Sequence, residues 1–281
     1  MLMVGNRLYK YVFVLLSVFF VFLTGWWLYL HATNHTDSLA GNWFAALYGG
    51  VALVGGLYGL VAAKGWGFFK SYFGKAIILL SLGLLLQEFG QLAYSYAFSL
   101  KHIELPYPSV ADIGYFGSIF MYIAGALYLM KGVGVGGILK RSPAKLTIGV
   151  TIPLLVLSLS YWFFLKGYTF EGTPGLTAFF DFGYPLGQAI YVSLALVTLL
   201  SMGNMLGGVM KAPVLLLLLA FVMQYTADFN FLYQSHHGTW TVIGYGDYLY
   251  LLAYFVMGAS LISLNRALAK AFAQGAPSEE A

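Results

Sequence analysis

The sequence predicts an all-α polytopic membrane protein of eight transmembrane helices, built as two parallel four-helix repeats with both termini in the cytoplasm. Three observations carry this reading: the apolar composition, the sidedness of the basic residues, and one polar pattern that recurs half a chain apart. Of 281 residues, 60% are apolar and 9% are charged, and the mean hydropathy is +0.80. A soluble domain of this length covers its surface with far more charge.

A span needs about 20 apolar residues to cross the hydrocarbon core. Stretches of that kind run over 11–31, 43–63, 75–99, 112–131, 145–166, 178–201, 212–233 and 245–265. Arg7 and Lys10 precede the first in the manner of a signal peptide. The run is too long for one, and WWLYLHATNHT has no small-residue cleavage site, so it reads as a retained helix.

Basic residues set orientation. Arg7, Lys10, Lys64, Lys70, Lys75, Lys131, Lys140, Arg141, Lys145, Lys211, Arg266 and Lys270 fall on one side of the eight spans, and only Lys101 and Lys166 on the other. A split of twelve against two places both ends inside and the lipid bilayer, that of a prokaryotic cytoplasmic membrane, around the spans. No basic block suits nucleic acid. With no cysteine, disulfides, thiolate metal sites and cysteine nucleophiles are excluded.

Self-comparison reveals the repeat. Span 3 carries LLLQEFGQLAYSYA and leads to PSVADIGYFGSIFMYIAGALYL; span 7 carries FVMQYTADFNFLYQ and leads to GYGDYLYLLAYFVMGASL. Gln87 and Gln91 align with Gln224 and Asp228, each pair four residues apart on one helix face. Asp112 and Tyr115 align with Asp247 and Tyr250, both written D-x-x-Y at the start of the next span. The offsets are 137 from Gln87 to Gln224 and 135 from Asp112 to Asp247. Units of four spans share one orientation, so the repeats are parallel, related by an axis along the membrane normal. The units are 1–135 and 136–270, followed by a short cytoplasmic tail, 271–281.

These segments, with FDFGYPLGQA in span 6, resemble the multi-pass membrane regions that precede GGDEF diguanylate cyclase domains in bacterial proteins. The resemblance covers spans 3–4 and 6–8, and it implies a sensory input module. It departs from those proteins after span 8, where ALAKAFAQGAPSEEA follows in place of an output domain.

Ionisable groups within a bilayer are costly unless they face a cavity or a partner. Glu88 near the middle of span 3, Asp228 in span 7 and Asp181 at the start of span 6 are therefore ligand-site candidates. With Gln87, Gln91 and Gln224 they are expected to line an outward-facing pocket between the repeats. Asp112 and Asp247 lie at helix starts, where a carboxylate also caps free N–H groups; they join the candidate set with Tyr115 and Tyr250. Tyr94, Tyr96, Tyr225, Tyr233, Tyr245 and Tyr248 fall on the same side, as an aromatic wall suited to an organic cation or as an interfacial belt.

All five histidines fall on the outer side, His31, His35, His102, His236 and His237, beside Asp37, Glu104 and Glu171. Imidazole and carboxylate bind divalent metals, and His31-x-x-x-His35 would share a face if span 1 stays helical that far. Solvated loop histidines are the plainer reading.

Other motifs dissolve on inspection. TVIGYGD resembles a potassium-channel filter, but Ile243 interrupts it and no pore helix precedes it. Gly132 to Gly137 matches G-x-G-x-x-G with no strand before it, so it reads as a flexible connector. Gly55-x-x-x-Gly59 predicts close packing of span 2, within the protomer or in a homo-oligomer. No nucleophile–base arrangement stands out. The expectation is a non-enzymatic sensor or receptor-like module that binds a small ligand or cation and signals through a membrane or cytoplasmic partner. A transporter and a subunit of a larger complex are the alternatives, and no cofactor is indicated.

Overall fold

The computed structural model describes residues 2–97, 101, 103, 105–202 and 211–275, without the side chains of 2–7 and 265–275. His102, Glu104, the side chains of Arg7, Arg266 and Lys270, and residues 276–281 of the expected tail lie outside the described residues.

Among the described residues the chain is helical throughout: α1 (Leu2–Ala32), α2 (Leu39–Leu47), α3 (Gly50–Gly65), α4 (Tyr72–Ser95), α5 (Val110–Gly132), α6 (Val135–Arg141), α7 (Pro143–Ser160), α8 (Gly175–Met202), α9 (Lys211–His236) and α10 (Tyr245–Gly275). Eight helical segments are long and apolar enough to cross a membrane. The second of them, Leu39–Gly65, is one span made of α2 and α3. The fifth ends in a π-helical turn, Tyr161–Leu165. The expected flexible connector at Gly132–Gly137 instead leads straight into α6, started by Gly134 at φ 74°.

Helix starts follow the capping residues. Ser71 Oγ accepts from Gly74 N–H at 2.8 Å and opens α4. Ser109 and Asp112 form a reciprocal capping box on α5, with Ser109 N–H donating to Asp112 Oδ2 at 2.7 Å. Ser142 before Pro143 starts α7.

The centre of the bundle is formed by α3, α4, α5, α8, α9 and α10. α1 and α7 are peripheral: only 11% and 17% of their apolar windows are buried, so the rest of the chain leaves most of their apolar surface uncovered. Backbones approach most closely where glycine allows it. Gly114 on α5 lies against the Leu86 carbonyl and Gly90 of α4. Gly55 on α3 faces Gly258 of α10, where an added Cβ would come 2.7 Å from the Gly258 Cα. Gly59 packs against Ser81 and Leu261, so the Gly55–Gly59 pattern serves contacts inside the protomer.

Candidate functional site

Where the helix ends of α5, α8 and α10 meet α2 and α4, a cavity of about 620 Å³ remains open. Its wall includes Asp112, Asp181, Asp228 and Asp247, with Gln87, Gln91 and Gln188. Tyr48, Tyr115, Tyr184, Tyr250, Tyr254 and Trp240 supply its aromatic surface. The lining also takes in the ends of the α4–α5, α7–α8 and α9–α10 connections, all on one face of the bundle.

Asp112, Asp228 and Asp247 are each met by neutral donors. Asp228, 4% exposed, accepts Tyr191 O–H on Oδ2 at 2.6 Å. Its Oδ1 accepts Tyr250 O–H at 3.0 Å and Gln224 Nε2 at 3.1 Å. Asp247 takes Ile243 N–H on Oδ2 at 2.6 Å and Tyr48 O–H on Oδ1 at 3.2 Å. Asp112 takes Ser109 N–H on Oδ2 and Tyr184 O–H on Oδ1 at 2.6 Å. The helix-start carboxylates are thus divided alike: one oxygen caps the backbone, the other receives a tyrosine from the other half of the chain.

Asp247 also holds an uncommon backbone. Ile243, a β-branched residue, sits at φ 62°, a region such residues rarely enter. Its N–H goes to Asp247, and its carbonyl accepts Trp27 Nε1 at 3.0 Å. α1 is thereby tied to the α9–α10 connection.

Amides complete the network. Gln91 Oε1 accepts Tyr48 O–H at 2.8 Å and Tyr115 O–H at 3.0 Å, while its Nε2 donates to the Ala45 carbonyl. Gln87 accepts Tyr254 O–H at 3.0 Å and donates to Ser118 Oγ. At the mouth, Asp181 accepts Tyr168 O–H at 2.8 Å. Partial desolvation, this bond and the Asp181 charge hold the Tyr168 hydroxyl above its ordinary pKa. Burial, then the Asp181 charge, raise Tyr107 beside it. Lys166 is the only lysine in the lining among the described residues, and its ammonium lies 3.6 Å from the centre of the Trp162 ring.

Of the expected site residues, Gln87, Gln91, Asp112, Tyr115, Asp181, Asp228, Asp247 and Tyr250 all line the cavity, as does His236. Two do not. Glu88 follows Gln87 by one position, about 100° round the helix; it points to Gly49 at the α2–α3 junction, with Oε2 buried and without a partner. Gln224 shares a face with Asp228 but lies one turn deeper, fully buried behind the floor.

The histidines do not form the expected metal set. Among the described residues no three His, Asp or Glu gather as metal ligands. α1 ends at Ala32 and Asn34 takes φ 54°, so His31 and His35 do not share a helix face. The Nδ1 atoms of His31 and His237 lie at hydrogen-bonding distance from their own helix carbonyls, Trp27 O and Tyr233 O.

Sequence reasoning overlooked Tyr48, Tyr184, Tyr191, Tyr254 and Gln188. The repeat offset itself would have found two of them, because Tyr48 and Tyr184 are 136 residues apart. Tyr94 alone of the six further outer tyrosines reaches the cavity.

Fold and site together define a multi-pass α-helical membrane protein with an acidic, tyrosine-lined cavity opening on one membrane face. No family model, curated protein or solved structure matches the chain.

Proposed function

We propose that this protein is a non-enzymatic, receptor-like membrane sensor whose cavity faces outward and binds a small organic cation. The observation that carries the reading is the cavity wall: four aspartates met by phenol, amide and backbone donors, enclosed by tyrosine rings. Neutral donors stabilise these carboxylates without cancelling their charge. An ammonium group would find carboxylates for its N–H bonds and ring faces for its charge. The volume of about 620 Å³ suits an organic molecule better than a bare ion.

The twelve-to-two distribution of basic residues supports N-in, C-in topology in a prokaryotic cytoplasmic membrane, with the cavity outside. Two parallel four-helix repeats are supported by the reciprocal pairs Tyr48–Asp247 and Tyr184–Asp112, whose members are related by offsets of 136 and 135. The resemblance to GGDEF-associated membrane regions favours sensing, with basic inner loops offered to a signalling partner.

A transporter is the second reading. It is favoured by the interruption of span 2 at the α2–α3 junction beside the cavity, since broken helices beside a site are a transporter feature.

The test is thermal unfolding of the protein in nanodiscs with a panel of small ammonium compounds and their neutral isosteres. Saturating ligand stabilises a protein by about 2.7 kcal/mol at a hundredfold excess over Kd. Ammonium compounds should raise the midpoint and the isosteres should not. Asp228→Asn should remove the response while keeping the fold, because the unpartnered Gln224 Oε1 can turn to accept from the new amide. Equal stabilisation by neutral isosteres would overturn the cation reading. Uptake of the same compound into proteoliposomes would favour the transporter.

A further inference from the structure

The tyrosines that cross to the helix-start carboxylates both stand beside a weak point in their own spans, a break in span 2 and a proline in the continuous α8. Tyr48 is where span 2 passes from α2 to α3, followed by Gly49 and Gly50. Tyr184 directly precedes Pro185 inside α8. Proline has no N–H for the carbonyl four residues back, here Asp181, and its ring crowds that carbonyl, so the helix bends readily there. In span 2, the Ala45 carbonyl near the end of α2 is met by side chains of α4, Gln91 Nε2 at 2.9 Å and Ser95 Oγ at 3.1 Å.

A hydrogen bond at a hinge residue governs the hinge. With Tyr48 on Asp247 and Tyr184 on Asp112, the mouth-side segments Leu39–Leu47 and Gly175–Tyr184 are held against the opposite half of the bundle. Without those bonds each segment loses that tie to the opposite half of the bundle. Capping of the helix starts does not depend on them, because Ser109 N–H and Ile243 N–H occupy the other oxygen of each carboxylate. Tyr48 stands between two acceptors, Gln91 Oε1 at 2.8 Å and Asp247 Oδ1 at 3.2 Å. A phenol carries one proton, so it can pass from one acceptor to the other.

The geometry points to a pair of latches: Tyr48–Asp247 and Tyr184–Asp112 hold the mouth-side segments of spans 2 and 6 in place at the cavity mouth, and a cation that takes the two carboxylates releases them. Charge-assisted bonds to a carboxylate are roughly twice as strong as neutral ones. An ammonium therefore outcompetes a phenol, and this supplies the difference in affinity between closed and open states that any ligand-driven shift requires. Only the identity of the releasing ligand rests on the function proposed above; the latch is testable with no ligand present.

The chain has no cysteine, so Ile119→Cys places a single thiol in the cavity wall, and Asp37→Cys places one on an exposed loop. Both are made in the full chain in nanodiscs and treated with a water-soluble methanethiosulfonate. Combined Tyr48→Phe and Tyr184→Phe should raise the modification rate at position 119 on the order of tenfold, since two bonds of modest net strength are lost. The rate at position 37 should stay unchanged. Pro185→Ala, which restores an N–H to α8, should slow modification at position 119. An unmoved rate at 119 in the double variant, or an equal rise at 37, overturns the latch. If the double variant does not fold, the Pro185→Ala rate decides: slowing supports the latch and no change overturns it. Failure of every ammonium compound to bind would sink the cation reading and leave these rates standing. Ammonium binding with unmoved rates would sink the latch alone.

Discussion

Tyr191 on α8 donates its hydroxyl to Asp228 on α9 at 2.6 Å, and this bond joins two helices below the cavity. The same carboxylate collects Tyr250 from α10 and Gln224 from its own helix. A single buried side chain thereby ties three spans. In hydrocarbon each of these donors would otherwise lack a partner, which gives the junction its weight.

Asp228→Ala should destabilise the protein by more than about 2 kcal/mol, because three buried donors lose their acceptor at about 1 kcal/mol or more each. Tyr191→Phe should cost about 1 kcal/mol, since the carboxylate keeps two donors. Thermal unfolding in detergent reads both. Equal effects would show that Asp228 is no hub.

Gly114→Ala and Gly117→Ala, one turn apart on α5, should behave oppositely. At position 114 a Cβ would collide with the Leu86 carbonyl and come within 2.8 Å of the Gly90 Cα. Backbone cannot yield as a side chain does, so a loss of about 1–3 kcal/mol is expected. At position 117 the nearest atom is a Leu86 methyl at 3.6 Å, and helix propensity favours alanine by up to about 1 kcal/mol. Unfolding midpoints of the two variants should therefore fall on either side of the unmodified protein. A common direction would refute the α4–α5 contact.

Reporter fusions at Gly136 and at Gly238 test the orientation. Gly136 lies in α6, between spans 4 and 5, and Gly238 in the α9–α10 connection. Cytoplasmic activity at 136 and external activity at 238 are expected from the distribution of basic residues. Both on one side would contradict the order of spans, and the reverse pattern would turn the cavity inward.

Much of this molecule is legible as text because the bilayer simplifies the problem. Hydrocarbon demands continuous apolar helices of set length, so the eight spans emerge from hydropathy within a few residues of the apolar helical segments, although α1 and α10 run on past them. Polar residues that survive inside them stand out for the same reason. The Gln87–Gln91 stripe, the D-x-x-Y starts and Asp228 were visible, and they meet at the cavity.

What the sequence by itself determined was therefore the class of protein, the spans and the polar groups that share a face. Tertiary structure decided which of those groups meet. Glu88 looked equivalent to its neighbour Gln87, yet one step along a helix turns a side chain by about 100°, toward Gly49 and away from the cavity. Among the described residues no three histidines or carboxylates gather as metal ligands, and His31 and His35 part because α1 ends at Ala32. Tyr48, Tyr184 and Tyr191 passed as ordinary span aromatics, since a phenol's role rests on where its single hydroxyl lands. That landing point lies on another helix, 199 residues away for Tyr48 and Asp247, and only the packing of the bundle brings the two together.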